Sequence, residues 1–274
     1  MSKLALMGLC TSLVLACAEQ QADYYIDQLS DPRRQIRLDA SHALVQLGGS
    51  TVEPLIARST GGTDSLQYIA AQILGQIGDQ RATPLLKELI ADENRYVREQ
   101  AVRALGQLDD PRLNPTLQDP LFGDPIPEVR GAAAWSLGNL RDTTAVAPLV
   151  RALTDSVALV RQQALAALQF LWTPTAETAS IASLRDPDGS VRYVAAQMLG
   201  HHRTRPALDA LFHALTDDNI WVRVESAHAL GRIGDTTAVA PLERLFSTRE
   251  GPDHEAAKAA LQQLTGLNYA VAPE

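Results

Sequence analysis

Only two cysteines occur in 274 residues, Cys10 and Cys17. That is too few for a disulfide framework or a Cys-based zinc site. Aromatic residues make up 5% of the chain and hydrophobic residues 46%, so the core must be built from small and branched aliphatics. No apolar run reaches the roughly 18 residues that a membrane-spanning helix needs. Lysine is nearly absent, with 3 residues against 21 arginines. The 24 basic residues are outnumbered by 32 acidic ones, for a net charge of −8. A dedicated nucleic-acid binder needs a basic face to release counterions, so no nucleic-acid partner is expected. The chain has no Gly-rich phosphate loop, no serine nucleophile elbow and no His-Glu-x-x-His motif. What it has in abundance is 41 alanines and 39 leucines, both helix formers.

The first residues read as an address. Lys3 is followed by a 13-residue apolar stretch ending at Ala16, which is the layout of a signal peptide over residues 1–16. Val14-Leu15-Ala16-Cys17 resembles the bacterial lipoprotein box. The resemblance implies diacylglycerol on the Cys17 thiol, cleavage before Cys17 and acylation of the new amino terminus. Residues 17–21 are then a lipid-anchored tether, and the mature chain keeps no free thiol. Two or three acyl chains give stable membrane attachment. Ala18 after the anchor implies the outer membrane, facing the periplasm, in a Gram-negative host.

The rest repeats. Aligned on Val-Arg and Ala-Leu-Gly, units start at residues 31, 61, 92, 124, 155, 186 and 217, with an eighth partial unit at about 248–266. The octapeptide DTTAVAPL stands at both 142–149 and 235–242. Each unit of about 31 residues divides into two helical segments. An Asp at the start is placed to cap the first, with Pro next in Asp31-Pro32, Asp124-Pro125 and Asp186-Pro187. Counting that Asp as zero, positions +5, +9, +12, +13 and +16 are apolar, as in Val97, Ala101, Ala104, Leu105 and Leu108. At about 100° per residue they share one arc. Gly near +17 and Asp near +18 end this helix and cap the next. Pro120 falls where the second helix of the third unit should run, which predicts a short or broken helix there. A two-helix unit cannot bury its face alone, but stacked neighbours can.

These motifs resemble HEAT repeats, and most closely the short HEAT-like repeats of phycobilisome lyases, over residues 22–266. The expectation is an all-α, right-handed α-solenoid of seven to eight two-helix repeats, with residues 267–274 as a loose tail. In that family the repeat Arg and the capping Asp form hydrogen-bonded ladders. The resemblance therefore assigns Arg37, Arg98, Arg130, Arg161, Arg192 and Arg223 to structure rather than to a phosphate track. Deoxyhypusine hydroxylase also resembles this fold and binds two irons through His-Glu pairs placed after the repeat Arg. None of these arginines is followed by such a pair here. The one pair present, His254-Glu255, lies one residue out of register, and no metal or cofactor is expected.

The aromatics are the unusual feature. Positions +4, +7 and +11 point away from the apolar arc, where polar residues belong. Yet Tyr96 and Trp221 stand at +4, Tyr68 and Tyr193 at +7, and Trp135 at +11. Stacking would bring them into a row on a concave face, with Arg103 nearby, and Tyr, Trp and Arg are favoured interface anchors. They are the candidate partner-binding residues. The expected function is a non-catalytic, lipid-anchored scaffold that binds a protein partner at the bacterial cell envelope. The alternatives are an enzyme or enzyme accessory of the bilin-lyase-like kind, and a lipoprotein that binds a small ligand such as a peptide or glycan.

Overall fold

The computed structural model describes residues 20–248 and 250–269. Cys17, with residues 1–19, lies outside the described residues, as do residues 270–274 of the tail. Every regular element among the described residues is helical, and the repeats stack as an α-solenoid. The chain divides into two compact units, one up to Arg141 and one from Asp142 on.

In the first unit, residues 20–28 form a leading helix, α1. The first helices of the repeats follow as α2 (Arg34–Leu47), α4 (Asp64–Ile77), α6 (Arg95–Gln107) and α8 (Pro127–Asn139). The second helices are α3 (Val52–Ser59), α5 (Thr83–Leu89) and α7 (Asn114–Gly123). In the second unit the first helices are α10 (Ala158–Leu168), α12 (Gly189–His201), α14 (Ile220–Ile233) and α16 (Pro252–Thr265). Its second helices are α9 (Val146–Ala152), α11 (Pro174–Ser183), α13 (Leu208–Ala214) and α15 (Val239–Thr248).

The apolar arc is the core. Val97, Ala101, Ala104, Leu105 and Leu108 are all buried, and each fully buried leucine contributes roughly 1.5–3 kcal/mol. The second helices bury the Ala-x-x-Pro-Leu pattern, as Ala145, Val146, Leu149 and Ala152 do. Where +14 is glycine, as at Gly75, Gly106, Gly200 and Gly231, the first helix lies so close to the next that no side chain fits there. A Cβ on Gly106 would stand 2.7 Å from the Cα of Ser136, and one on Gly200 would stand 2.7 Å from that of Ala229.

Three local expectations are corrected. First, the starting Asp does not cap the first helix. The caps stand two residues later, at Asn94, Asp188 and Asn219 for example. The starting carboxylates of Asp92, Asp124, Asp155, Asp186 and Asp217 each accept the backbone N–H two residues on. This is an Asx turn, and Pro fits its second place because its φ is already set. Second, α7 is a continuous ten-residue helix with Pro120 inside it. Proline removes only one hydrogen bond there, and its buried ring packs as an apolar side chain would. Third, the described part of the tail is held. Tyr269 meets Phe246 edge-on at 5.9 Å and its hydroxyl donates to Glu243 at 3.4 Å.

The second helices enter through short 3-10 turns. Asp79, Asp110, Asp142 and Asp235 each accept the N–H two residues on. The preceding residue at +17 takes positive φ: 73° at Gly78 and 76° at Gly234, but also 51° at Asp109, 52° at Arg141 and 51° at Arg203. Only glycine adopts that conformation without steric cost.

Candidate functional site

The repeat arginines are fixed in their own turns, and all but Arg37, whose next unit starts at Gly61, have an Asp at the start of the following unit. Nη1 of each donates to the carbonyl of its own starting Asp. The distances are 2.8 Å for Arg37, Arg98 and Arg161, 2.9 Å for Arg130 and Arg192, and 2.7 Å for Arg223. Nε and Nη2 reach the following repeat. Arg161 donates to both oxygens of Asp186 at 2.8 and 2.7 Å, and Arg192 to both of Asp217 at 2.7 Å. Arg98 pairs in the same way with Asp124, and the Nε of Arg223 with Asp253. These pairs are largely shielded from water, with both side chains of Arg161–Asp186 only 10% exposed. Burial alone would raise the Asp217 carboxyl; the Arg192 guanidinium outweighs it and holds it below the usual carboxylate range.

The structure brings the aromatic candidates together in pairs, one pair in each unit. Between α4 and α6, Tyr68 and Tyr96 line an open cleft of about 450 Å³ with Asp64, Ser65 and Asn94. Between α12 and α14, Tyr193 and Trp221 line one of about 310 Å³ with Gly189, Ser190 and Asn219. Ser, Tyr, Asn and the second aromatic occupy identical repeat positions in the two clefts. The Asn is the helix cap in both, its Oδ1 accepting from the Tyr96 N–H or the Trp221 N–H at 2.9 Å. Tyr96 and Trp221 are 54% and 58% exposed, so their rings face solvent rather than core.

Trp135 lines neither cleft and is half-buried on α8. Arg103 pairs with Glu99 one turn earlier, at 2.9 Å. The sequence pattern gave no sign of the Asn, because a cap residue reads as local structure only. The same Asn at +2, two residues before an aromatic, in the units starting at 92 and 217 was the available signal.

Two further clusters stand apart. His202 stacks on Trp172 at 3.8 Å. Burial pushes its pKa down, and His201 adds to the shift. Burial alone would raise the Glu225 carboxyl, but His228 nearby and Arg232, with Nη1 at 2.8 Å, hold it below the usual range.

The residues do not fit a di-iron centre. His254 Nδ1 donates to the Phe246 carbonyl at 2.8 Å and its ring stacks on Phe246 at 4.3 Å. Among the described residues no three His, Cys, Asp or Glu side chains are grouped so as to hold a metal ion.

Comparison with known proteins follows this geometry. The chain matches the HEAT-repeat family over residues 52–124, 84–169 and 177–265. The bilin biosynthesis protein PecE of Mastigocladus laminosus is 30% identical over 68% of this chain and 72% of its own. The deoxyhypusine hydroxylase of Danio rerio is 28% identical over 83% of this chain and 86% of its own. Among solved structures, the X-ray structure of Escherichia coli YibA covers 91% of this chain and 95% of its own at 20% identity and a TM-score of 0.65, a likeness of fold.

The expectation of a protein with no catalytic role is overturned by these relatives. Several deoxyhypusine hydroxylases, which are enzymes, match along most of the chain, and the comparison points to a catalytic protein. A search for contiguous motifs misses groups that a repeat fold gathers from separate repeats. On the repeats matched along most of its length and on its identity with PecE, the chain belongs to the HEAT-repeat family and is phycobilisome-lyase-like.

Proposed function

We propose that this protein works in catalysis as a bilin-lyase-like enzyme or enzyme accessory, holding a protein partner against the aromatic face of its first helices. The observation that carries the reading is the pair of clefts built on the same repeat positions. Exposed Tyr and Trp rings are what an interface anchor needs. The 30% identity with PecE, a bilin biosynthesis protein, supplies the chemical setting, an open-chain tetrapyrrole. The lipoprotein box supplies the place: attachment through Cys17 at the cell envelope, on the periplasmic side of the outer membrane in a Gram-negative host. A small ligand bound by the same face is the competing reading.

The test is capture from solubilised envelopes with residues 18–274, beside a Tyr68/Tyr96/Tyr193/Trp221→Ala version of matched melting temperature. The expected result is a partner lost only from the mutant lane. Added open-chain tetrapyrrole should then change its absorbance only with bait and partner together. Partners shared by both lanes overturn the site; no spectral change overturns the lyase-like chemistry. Separately, Cys17→Ser should move the protein from the membrane pellet to the soluble fraction. A variant that still pellets refutes the anchor.

A further inference from the structure

The two clefts share Ser, Tyr and Asn, carry Tyr96 in one and Trp221 in the other, and differ in charge at two positions. In the first cleft Asp64 stands at +3 of α4 and accepts from Asn94 Nδ2 at 2.7 Å. Arg95 stands at +3 of α6. Its guanidinium lies 4.6 Å from the centre of the Tyr96 ring, and its Nη2 donates to the Tyr96 hydroxyl at 2.7 Å. The Tyr96 ring of the first cleft therefore has a cation of its own. In the second cleft the same two positions are Gly189 and Ile220. Gly189 leaves the Asn219 carboxamide close against the helix backbone, since a Cβ there would lie 2.6 Å from Nδ2. Ile220 brings no charge to Trp221. The walls that receive a guanidinium in one unit are left without one in the other.

The charge around the second cleft points the same way. Asp186, Asp188, Asp217 and Asp218 stand in the turns that lead into α12 and α14, the two helices that line it, and the guanidinium groups that bind them are Arg161, on Asp186, and Arg192, on Asp217 and Asp218. Four carboxylates against two cations leave an excess of negative charge. The Asp218 side chain is 90% exposed. Asp188 is engaged by the Ser190 N–H and hydroxyl, and it shares Arg161 and Arg192 with the carboxylates that bind them directly. An aromatic face beside unbalanced carboxylates attracts a cation, and Trp is the strongest of the aromatic faces. A planar guanidinium can stack on the indole while its N–H groups reach carboxylates, which an ammonium cannot do as well.

We propose that the cleft of Tyr193 and Trp221 receives an arginine side chain from the partner protein. The guanidinium stacks on Trp221 as Arg95 does on Tyr96, within reach of Asp188 and Asp218. This rests on the partner reading above and names the chemistry of the segment that the partner presents.

The experiment uses residues 18–274 and a short synthetic peptide with a single arginine among glycine and serine. The same peptide with citrulline is the uncharged isostere, and one with lysine is the second control. Binding is followed by the indole N–H signal of Trp221, identified with Trp221→Phe. The arginine peptide should shift that signal, and the citrulline peptide should bind about tenfold more weakly or worse. Ile220→Arg reproduces the first cleft by supplying the cation from within. It should keep the melting temperature and abolish the shift, and Asp188→Asn with Asp218→Asn should weaken it. Equal binding of citrulline, or full binding by Ile220→Arg, overturns the assignment and leaves the partner reading standing. If the arginine peptide binds as described but capture of the partner is indifferent to Ile220→Arg, the cleft's chemistry holds and its role in partner binding falls.

Discussion

The cleft between α4 and α6 and the cleft between α12 and α14 lie four repeats apart on the same scaffold positions. Their walls agree residue for residue in type, yet one is internally satisfied and the other is open. Asp64 and Arg95 occupy the polar and aromatic groups of the first. Gly189 and Ile220 leave those of the second unoccupied. The difference teaches that a repeat array can keep a recognition wall while two substitutions decide whether the chain or a partner fills it.

That comparison presumes that both units are held together by the same devices, and this can be broken. The largest effect should come from the arginines. Arg98→Ala in the first unit and Arg161→Ala in the second each strand a shielded carboxylate. Each should lower stability by about 3–5 kcal/mol in urea denaturation. A large loss at Arg161 with none at Arg98 would mean that the units rely on different contacts. Next come the helix crossings. Gly106→Val and Gly200→Val each force a side chain against the neighbouring backbone and should cost about 1–3 kcal/mol, read by the same titration. The smallest effect is a gain. Arg203→Gly relieves a left-handed arginine in the second unit and should add at most about 1 kcal/mol, read as a raised melting temperature. Gly234→Ala at the same repeat position should lower it; a rise there would refute the conformational explanation.

The stacked helices were legible because burial imposes periodicity: Val97, Ala101, Ala104, Leu105 and Leu108 must share an arc to reach the core. The starting Asp was legible as a boundary but misplaced by two residues. An Asx turn and a helix cap use the same side chain in the same way, accepting a nearby N–H. The glycine at +14 served as an alignment mark, while its reason, contact with the next helix, is a distance between residues some thirty apart. Pro120 reads locally as a break, and only its burial explains the unbroken helix. In the site, the outward aromatics were visible as violations of the polar face. Their grouping into pairs was not, because Trp135 obeys the same rule on the wheel and joins neither cleft. What separates the clefts, Asp64 from Gly189 and Arg95 from Ile220, looks in sequence like ordinary surface variation.

The repeat arginine also sets the units in which this chain can change length. Each holds its own turn through the Asp carbonyl and, Arg37 excepted, the next turn through the Asp carboxylate, 25 residues on at Arg161 and Arg192 and 26 at Arg98. Removing one whole repeat brings an arginine to an equivalent aspartate, and the join closes with the chemistry it replaced. Removing half a repeat sets a first helix against a second, and the close glycine crossing between first helices is lost. Growth and loss in this chain are therefore quantised, and the smallest step that leaves every join intact is about 31 residues.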